Sequence, residues 1–516
     1  MTATLTMTQA PVAAPQAGAR LTVSSTSRRR WYTLAVLCLS LLITVVDATI
    51  INVALPTFAR ELRAGTSGLQ WITDSYTLAF AALLLLAGAI ADRFGRQRAL
   101  ASGLAVFAIG SLAAALTRTT AELIAARAVM GTGAAFIMPA TLSILTSVFT
   151  NPAERAKAIG IWSAVSGLGV AIGPVAGGLL LAHFGWDSIF LVNLPLTAVA
   201  LIAGHWLVPA SRSPQSRRLD VTGAITSVAA FTVLTWALIA APASGWLSAE
   251  TLARLAGAGI LLAAFFAIEV RSDHPMLPLS LFRNGRLAGA AIALLALFFA
   301  LSGTVFLTTQ VYQVVLGYSP LAAGLRAVPP AVALAIAAAG GAHVAKKAGA
   351  RIPVTLGLVL VAAGLGFFAT ATGSSGYLHY VIAMVVISAG IGFAMSAATT
   401  LTMEQLPPAL AGVGSAVNDA TRNMGSVLGV AVVGSVTASV FASRLTAHRV
   451  PGTSLGQAVA AAHRAGGQSA SLLHSIAGAF ISGADCGVLA AAAICLAGAV
   501  IAFTTLRTPR PGIRAA

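Results

Sequence analysis

The sequence is poor in charged residues, and above all in acidic ones. Of its 516 residues only 14 are Asp or Glu and 31 are Lys or Arg, so that 9% are charged, whereas a soluble domain carries about 25%. A soluble chain of this length would form about three domains, and so few charges could not cover their surfaces. The hydrophobic fraction of 58% and the mean hydropathy of +0.89 also exclude a low-complexity disordered chain. The composition therefore predicts a polytopic membrane protein.

Lysine and cysteine are scarce as well, which excludes several kinds of chemistry. None of the three lysines, Lys157, Lys346 and Lys347, follows a glycine, so the phosphate-binding loop Gly-x-x-x-x-Gly-Lys-Ser/Thr is missing. The three cysteines form no Cys-x-x-Cys pair and no His-Glu-x-x-His motif occurs, so we expect neither disulfides nor a metal site. We therefore predict a protein that is not an enzyme, has no cofactor, and draws on an ion gradient or an ATPase partner.

The sequence is instead rich in long apolar segments. Fourteen segments reach the roughly 20 mostly apolar residues that a transmembrane helix needs. If the N-terminus is inside, 21 basic residues lie on the cytoplasmic side, 7 on the opposite side and 3 within spans. This asymmetry follows the positive-inside rule, places both termini in the cytoplasm, and explains the isoelectric point near 11.3 without a nucleic-acid partner.

The predicted architecture is all-α, with two pseudo-symmetric six-helix bundles and an inserted helix pair. Substrate would bind between the bundles near the middle of the bilayer. In chain order we predict a disordered cytoplasmic tail at 1–30, the N-terminal bundle at 31–208, a cytoplasmic linker at 209–220, the inserted hairpin at 221–270, a second linker at 271–285, the C-terminal bundle at 286–505 with an extracytoplasmic loop at 443–478, and a cytoplasmic tail at 506–516.

Ionisable side chains inside a membrane are costly and mark ion or substrate pathways by default. Asp47 lies deep in the first span without a basic residue beside it, and burial disfavours the charged form of a lone carboxylate. A proton carrier needs this property, although Asp47 could instead be a structural residue satisfied by Thr44, Thr49 or Asn52. Arg127 has no acid one turn away and is predicted to face a partner helix or a wet cavity.

The remaining intramembrane acids are weaker candidates. Asp74 and Asp485 lie within two turns of the predicted extracytoplasmic ends of their helices, so each could simply be hydrated. Asp419 and Arg422 are three residues apart on one helical face, next to Asn418. They form either a neutralising structural pair or a site at which Arg422 contacts an anionic group or modulates Asp419.

Two glycine-containing motifs lie in the first half of the sequence. In the fifth span Gly169, Gly173 and Gly177 form a stripe beside Pro174, which allows close packing against another helix and a kink. The motif of the predicted cytoplasmic loop after the second span is GAIADRFGRQR. We predict that its Asp92 meets a helix end or an arginine when the two halves of the protein close.

These motifs together resemble the fourteen-helix drug:proton antiporters of the major facilitator superfamily (the EmrB/QacA type), over residues 31 to 505. VDATIINVALP is similar to the first-helix acidic motif of that family, LIAARAVMGTGAA to the fourth-helix motif, and GLGVAIGPVAGG to the antiporter motif. The sequence departs from the family pattern at Leu84, Leu85 and Leu86, where many relatives have a proline.

The resemblance implies a role for each group of residues. Proton coupling would involve Asp47, Arg127 and Asp74, and the cytoplasmic gate would consist of Gly88, Asp92, Arg93, Gly95 and Arg96. The antiporter motif of the fifth helix would comprise Gly169, Gly173, Pro174, Gly177 and Gly178. Further contacts to substrate or to the coupling site would come from Asn52, Arg326, Asn418, Asp419 and Arg422. Arg326 is unusual for the family and would favour acidic substrates.

We therefore predict a proton-coupled exporter of lipophilic drugs or antibiotics that works by alternating access. Its partners would be the lipophilic substrate, protons and the lipid bilayer, and it would function as a monomer in the inner or plasma membrane of a bacterium. Two other readings are a proton-coupled importer of a small metabolite and a non-transporting membrane sensor or scaffold.

Overall fold

The computed structural model describes residues 27–210, 221–272, 283–373, 375–404, 411–447, 455–464 and 469–506. Across these ranges the regular secondary structure is helical. The helices of the first half are α1 (Ser27–Glu61), α2 (Thr66–Phe94), α3 (Arg96–Leu116), α4 (Thr120–Val148), α5 (Pro152–His183), the short α6 (Ser188–Leu191) and α7 (Asn193–Leu207).

The inserted hairpin consists of α8 (Val221–Ser244) and α9 (Ala249–Arg271). The second half contains α10 (Gly285–Gln310), which continues into a π-helical turn at Val311–Val315, then α11 (Pro320–Arg326), α12 (Val328–Ala348), α13 (Arg351–Phe368), α14 (Tyr377–Glu404), α15 (Ala411–Ala447), α16 (Leu455–Arg464) and α17 (Ser469–Thr505).

The prediction of fourteen membrane helices is confirmed by length and composition. Thirteen helices of the described chain are long and apolar enough to cross a bilayer, and a fourteenth span is α2, which is bent by 50° between Leu84 and Leu86. The bend falls in the Leu84–Leu86 segment, where the sequence departs from the family pattern. Proline is the usual cause of so sharp a kink, and this helix contains none.

Two segments that we predicted to be irregular contain helix. The tail predicted at 1–30 ends earlier, because α1 begins at Ser27 and its first turn is tied down: Arg30 pairs with Glu154 at 3.1 Å and Arg29 donates to the Trp206 carbonyl. The loop predicted at 443–478 includes the end of α15, the whole of α16 and the start of α17. Residues 1–26, 211–220, 273–282, 448–454, 465–468 and 507–516 of the predicted tails, linkers and loop lie outside the described residues.

Helix α16 forms because one of its faces is apolar. Leu455, Ala458 and Ala462 recur at helical spacing and are buried, and the helix packs on α17 and on α1. The stretch contains many small and polar residues, which concealed this short amphipathic pattern at the sequence level.

The helices pack mainly within each half of the molecule. In the first half α1 packs on α5 and α7, and α4 packs on α2 and α3; in the second, α10 packs on α15, and α14 packs on α12 and α13. The helices α8 and α9 pack on each other, and α8 also contacts α2 and α15. The hairpin therefore lies beside the seam at which α2 of the first half meets α15 of the second.

The distribution of polarity is that of a protein in lipid. Large apolar side chains such as Ile109, Leu116, Ile202, Ile260 and Ile336 are exposed, which suits a surface whose solvent is hydrocarbon. A few charged residues lie inside instead, and Asp47 and Arg127 are among the most deeply buried side chains. The buried charges therefore define the region in which function is to be sought.

Candidate functional site

The buried charges of the first half form one cluster that joins four helices. Arg127 of α4 donates to Oδ2 of Asp47 on α1 at 2.5 Å, and Asn193 of α7 donates to Oδ1 at 3.1 Å. The Arg127 Nε–H donates to the Ile72 carbonyl of α2 at 3.3 Å, and the guanidinium lies 4.3 Å from the centre of the Tyr76 ring. Asp47 and Arg127 are 0% and 1% exposed, so this ion pair is sealed from solvent.

The prediction that Asp47 is a lone carboxylate is wrong for this conformation. Its partner stands 80 residues away in the chain, and only the packing of α1 against α4 brings the two together. The alternative partners that we considered do not bind it: the Thr44 hydroxyl donates to the Leu41 carbonyl, and the Asn52 amide donates to the Thr49 carbonyl at 3.4 Å. The prediction that Arg127 faces a partner helix is confirmed.

Asn193 is a site residue that sequence reasoning missed. Besides binding Asp47 it donates to the Ser111 hydroxyl at 3.0 Å, and Ser111 in turn donates to the Phe190 carbonyl. This chain fixes the side of Asp47 that Arg127 leaves free. The available signal was an amide side chain within an otherwise apolar predicted span.

Asp74 differs from Asp47 in having no partner. It is 1% exposed, and neither of its carboxylate oxygens has a hydrogen-bond partner in the described structure. The alternative that it is hydrated near a helix end is therefore wrong for this conformation. Burying an ionised carboxylate without a compensating charge or hydrogen bond is among the most costly arrangements in a protein.

The loop motif after α2 adopts a compact turn. Gly95 ends α2 and precedes α3 with a φ of 114°, a left-handed conformation that glycine tolerates best. Arg96 donates from Nε to Asp92 at 2.9 Å and from a terminal nitrogen to the Ser143 carbonyl of α4 at 3.2 Å. The Arg93 guanidinium lies 5.5 Å from the Phe94 ring, and Gly88 packs on Pro139. Asp92 thus contacts an arginine of its own half, and its predicted role in joining the two halves stays a prediction.

The glycine stripe of α5 packs directly on α1. A Cβ atom at Gly169 would lie 2.9 Å from the Val45 side chain and one at Gly177 would lie 2.6 Å from Ile50; both are closer than real Cβ contacts. Gly173 between them abuts Thr49 even more closely. The stripe therefore lets these two helices approach each other, as the spacing predicted.

Gly178 and Pro174 face the second half of the protein. A Cβ atom at Gly178 would lie 2.5 Å from the Leu321 backbone of α11 and 2.8 Å from the Pro320 carbonyl. The Pro174 carbonyl in turn lies against Gly324 of α11. This backbone-to-backbone crossing of α5 and α11 joins the two halves without any charged group.

Two glutamines add hydrogen bonds between the halves. The Gln70 amide, near the start of α2, donates to the carbonyls of Val430 and Ala431 at 3.1 and 3.0 Å and to the Ser435 hydroxyl at 3.3 Å. Gln313 of the π-helical turn donates to the Val53 carbonyl of α1 at 2.7 Å.

These contacts lie at the end of the molecule opposite to the Asp92 loop. Gln70 is close to the start of α2, whereas Asp92 is close to its end, and Gly178 is close to the end of α5. In the predicted orientation the closed end is extracytoplasmic. The sequence did not reveal Gln70 or Gln313, because an amide that binds backbone carbonyls of a distant helix leaves no local pattern.

The polar residues predicted on α15 form a looser arrangement. Arg422 and Asp419 approach to 3.9 Å, and the Arg422 guanidinium lies 4.5 Å from the Phe298 ring. Asn418 accepts a hydrogen bond from the Thr399 hydroxyl and donates weakly to Asp419 at 3.5 Å. Both members of the charged pair are partly exposed, so the pair is found as the spacing predicted but is not sealed.

Arg326, at the end of α11, is stacked over the ring of Tyr318 at 3.8 Å. Within the described ranges it forms no ion pair with an acidic residue. Arg127, in contrast, forms an ion pair with Asp47.

A bundle of apolar helices with buried charges and a seam between two halves is the architecture of a multi-pass membrane protein. The chain belongs to the Major Facilitator Superfamily, whose family model matches residues 37–430, so it is a transporter rather than an enzyme.

Several curated relatives cover most of the chain. Multidrug resistance protein Stp of Mycobacterium tuberculosis (strain CDC 1551 / Oshkosh) is 36% identical over 82% of this chain and 78% of its own length. The tetracenomycin C resistance and export protein of Streptomyces glaucescens is 32% identical over 97% and 96%. The multidrug efflux pump LfrA of Mycolicibacterium smegmatis (strain ATCC 700084 / mc(2)155) is 34% identical over 92% and 96%.

Solved structures share the fold at low sequence identity. A bacterial homolog of the human lysosomal transporter Spinster, in an inward-facing and unoccupied conformation, has a TM-score of 0.66 at 18% identity and covers 94% of this chain and 100% of its own. The peptide transporter POT in complex with sulfate has a TM-score of 0.61 at 18% identity over 92% and 96%.

Proposed function

We propose that this transporter is a proton-coupled exporter of lipophilic drugs or antibiotics, located in the bacterial plasma membrane. The export of such compounds is supported by the relatives, which are named as multidrug, efflux and antibiotic-resistance proteins. The observation that carries proton coupling is the contrast between two buried carboxylates: Asp47 is paired with Arg127, whereas Asp74 has no partner among the described residues.

Asp74 is suited to carry the proton. Because a buried ionised carboxylate without a partner is strongly disfavoured, the conformation described here accommodates Asp74 in its neutral, protonated form. When the seam between α2 and α15 opens, water reaches the carboxyl group and stabilises its ionised form. Opening of the extracytoplasmic end therefore lets Asp74 bind a proton from outside, and closing buries it in the protonated form.

The Asp47–Arg127 pair is the second element of the coupling. A proton on Asp47 would remove its charge and leave a buried guanidinium without a counter-ion, which is unfavourable while the site stays dry. Protonation of Asp47 is therefore linked to a rearrangement of α1 against α4. The pair and Asp74 together link proton binding from outside to the change between the two conformations.

The exchange between two conformations uses the contacts between the halves. Gln70, Gln313 and the α5–α11 crossing hold the extracytoplasmic end closed, so the substrate enters from the opposite end. Closing of the opposite, cytoplasmic end would bring the Asp92 loop against the second half, which is the gate that we predicted from the sequence. No resident cofactor is needed in this cycle, because the proton gradient supplies the free energy.

The test is transport by purified protein in liposomes with an imposed pH gradient. Asp74→Asn keeps the size and neutrality of a protonated carboxyl group but cannot release a proton, so we expect folded protein whose export no longer depends on the gradient. Glu250→Gln is the matched control, because Glu250 is 61% exposed and pairs with Arg254 on its own helix. Gradient-driven export by Asp74→Asn at the wild-type rate would refute the assignment.

A further inference from the structure

Four of the six tyrosines of the protein gather at one place in the second half. Tyr312, Tyr318, Tyr377 and Tyr380 form what we name the tyrosine cluster. Tyr312 contacts the other three rings with centroids 5.9–6.4 Å apart, and Tyr318 and Tyr377 lie 6.4 Å apart. The cluster is a continuous aromatic surface rather than a chance pair of rings.

Arg326 lies on this surface as a cation without an acidic partner. Its guanidinium carbon is 3.8 Å from the centre of the Tyr318 ring and 5.1 Å from that of Tyr377. One terminal nitrogen donates to the Ala322 carbonyl at 3.0 Å, whereas Nε is buried without a hydrogen-bond partner. Within the described residues no carboxylate forms an ion pair with Arg326, so its charge is available to a ligand.

Two tyrosine hydroxyls are also left without partners. The hydroxyl groups of Tyr312 and Tyr380 are buried and make no hydrogen bond in the described structure. Since nearly all buried polar groups in proteins are hydrogen-bonded, two orphaned hydroxyls in one cluster indicate a place for a polar ligand. The other titratable groups near the cluster are Asp485 of α17 and His379, which packs on the Tyr380 ring.

The cluster borders the boundary between the two halves. Tyr312 lies in the π-helical turn whose Gln313 binds α1, and π-helical turns are frequent at functional sites. Arg326 ends α11, the helix whose Gly324 rests on the Pro174 carbonyl of α5. A ligand held here would therefore sense the opening of the extracytoplasmic end.

We propose that Arg326 and the tyrosine cluster form a binding subsite for an anionic aromatic group, a carboxylate or phenolate borne on an aromatic ring, of the exported compound. The guanidinium N–H groups bind the anion through charge-assisted hydrogen bonds, and the tyrosine rings pack on the aromatic part. A cationic group is disfavoured because Arg326 already occupies the faces of Tyr318 and Tyr377. The proposal rests on the proposed export function and names its substrate class.

The test compares two dyes that share a xanthene ring system and differ in charge. Binding of anionic fluorescein and cationic rhodamine 6G to the purified full-length protein in detergent is measured by fluorescence anisotropy. We expect the wild type to prefer fluorescein and Arg326→Gln to bind it about tenfold more weakly or worse, with rhodamine 6G binding changed by less than about twofold. Arg326→Lys keeps the charge but not the planar fork and should recover part of the affinity.

Arg254→Gln is the matched control. Arg254 also lies over an aromatic ring, that of Trp236 at 4.4 Å, but it is paired with Glu250, so its loss should leave fluorescein binding unchanged. Tyr312→Phe removes one orphaned hydroxyl with little change of shape and should weaken fluorescein binding while the melting temperature stays close to that of the wild type.

The outcomes separate this inference from the export function. Preference of the wild type for rhodamine 6G, binding of neither dye, or equal effects of Arg326→Gln on both dyes would each overturn the subsite. Export itself is judged by gradient-driven transport of the wild type in liposomes. Selective fluorescein binding without gradient-driven transport would support the subsite and reject the exporter.

Discussion

Each half of the molecule places an arginine over a tyrosine ring, but the surroundings of the two arginines differ. Arg127 in the first half and Arg326 in the second each lie over a tyrosine ring, at 4.3 and 3.8 Å. Arg127 is neutralised by Asp47 and sealed from solvent, whereas Arg326 is partly exposed and has no acidic partner within the described chain. The same cation–π arrangement therefore belongs to a closed ion pair in one half and to an open site in the other.

This difference suggests a division of labour. Of the three carboxylates that are buried in the described structure, Asp47 and Asp74 lie in the first half and Glu269 lies in the inserted hairpin. The second half holds its polar groups more loosely, with the Asp419–Arg422 pair at 3.9 Å and partly exposed. In the function that we propose, proton coupling lies in the first half and the substrate subsite in the second.

The largest expected effect is the loss of one partner of the sealed pair. Asp47→Asn leaves Arg127 buried without a counter-charge and should destabilise the protein by about 3–5 kcal/mol. Thermal unfolding in detergent measures the change. The double variant Asp47→Asn with Arg127→Gln should recover part of the loss, because it removes the stranded charge; an equal or larger loss in the double variant would contradict the pairing.

A smaller effect is expected where α5 packs on α1. Gly173→Val places a branched side chain against Thr49 and should cost about 1–3 kcal/mol through overpacking, together with a loss of transport. Gly160→Ala in the same helix is the matched control, because a Cβ atom there meets nothing within 4 Å. Melting temperatures that fall equally in both variants would argue against the tight contact.

A substitution at the closed extracytoplasmic end should change the fraction of molecules in which the two halves are closed, rather than the stability of the fold. Gln70→Ala removes hydrogen bonds to Val430, Ala431 and Ser435 and should weaken the closed state by about 1–3 kcal/mol. The readout is labelling of Ser435→Cys by a membrane-impermeant maleimide in a background without the native cysteines, which should become faster. Gln97→Ala is a control that removes only weak contacts within the first half. Unchanged labelling would show that Gln70 does not hold the seam.

The smallest effect is expected for the open pair of the second half. Arg422→Gln should change the stability by less than about 1 kcal/mol, because a partly exposed pair at this distance contributes little. A double-variant cycle with Asp419→Asn measures the coupling directly. A coupling as large as that of Asp47 with Arg127 would remove the contrast between the two halves.

Membrane class, the number of helices and the family could be predicted because they depend on local properties of the chain. A span is recognised from about 20 consecutive residues, and the motifs around Asp47, Asp92 and Gly173 are each contiguous. The stripe at Gly169, Gly173 and Gly177 predicted close packing for the same reason, since helical periodicity places these residues on one face.

What the sequence by itself determined was therefore which side chains are placed within the membrane. The tertiary structure alone decided what each of them touches: Asp47 meets Arg127 and Asn193, Asp74 meets no partner among the described residues, and Arg326 lies among tyrosines from separate helices. The physical reason is that these contacts join residues far apart in the chain. They depend on how whole helices pack, which no spacing along one helix encodes.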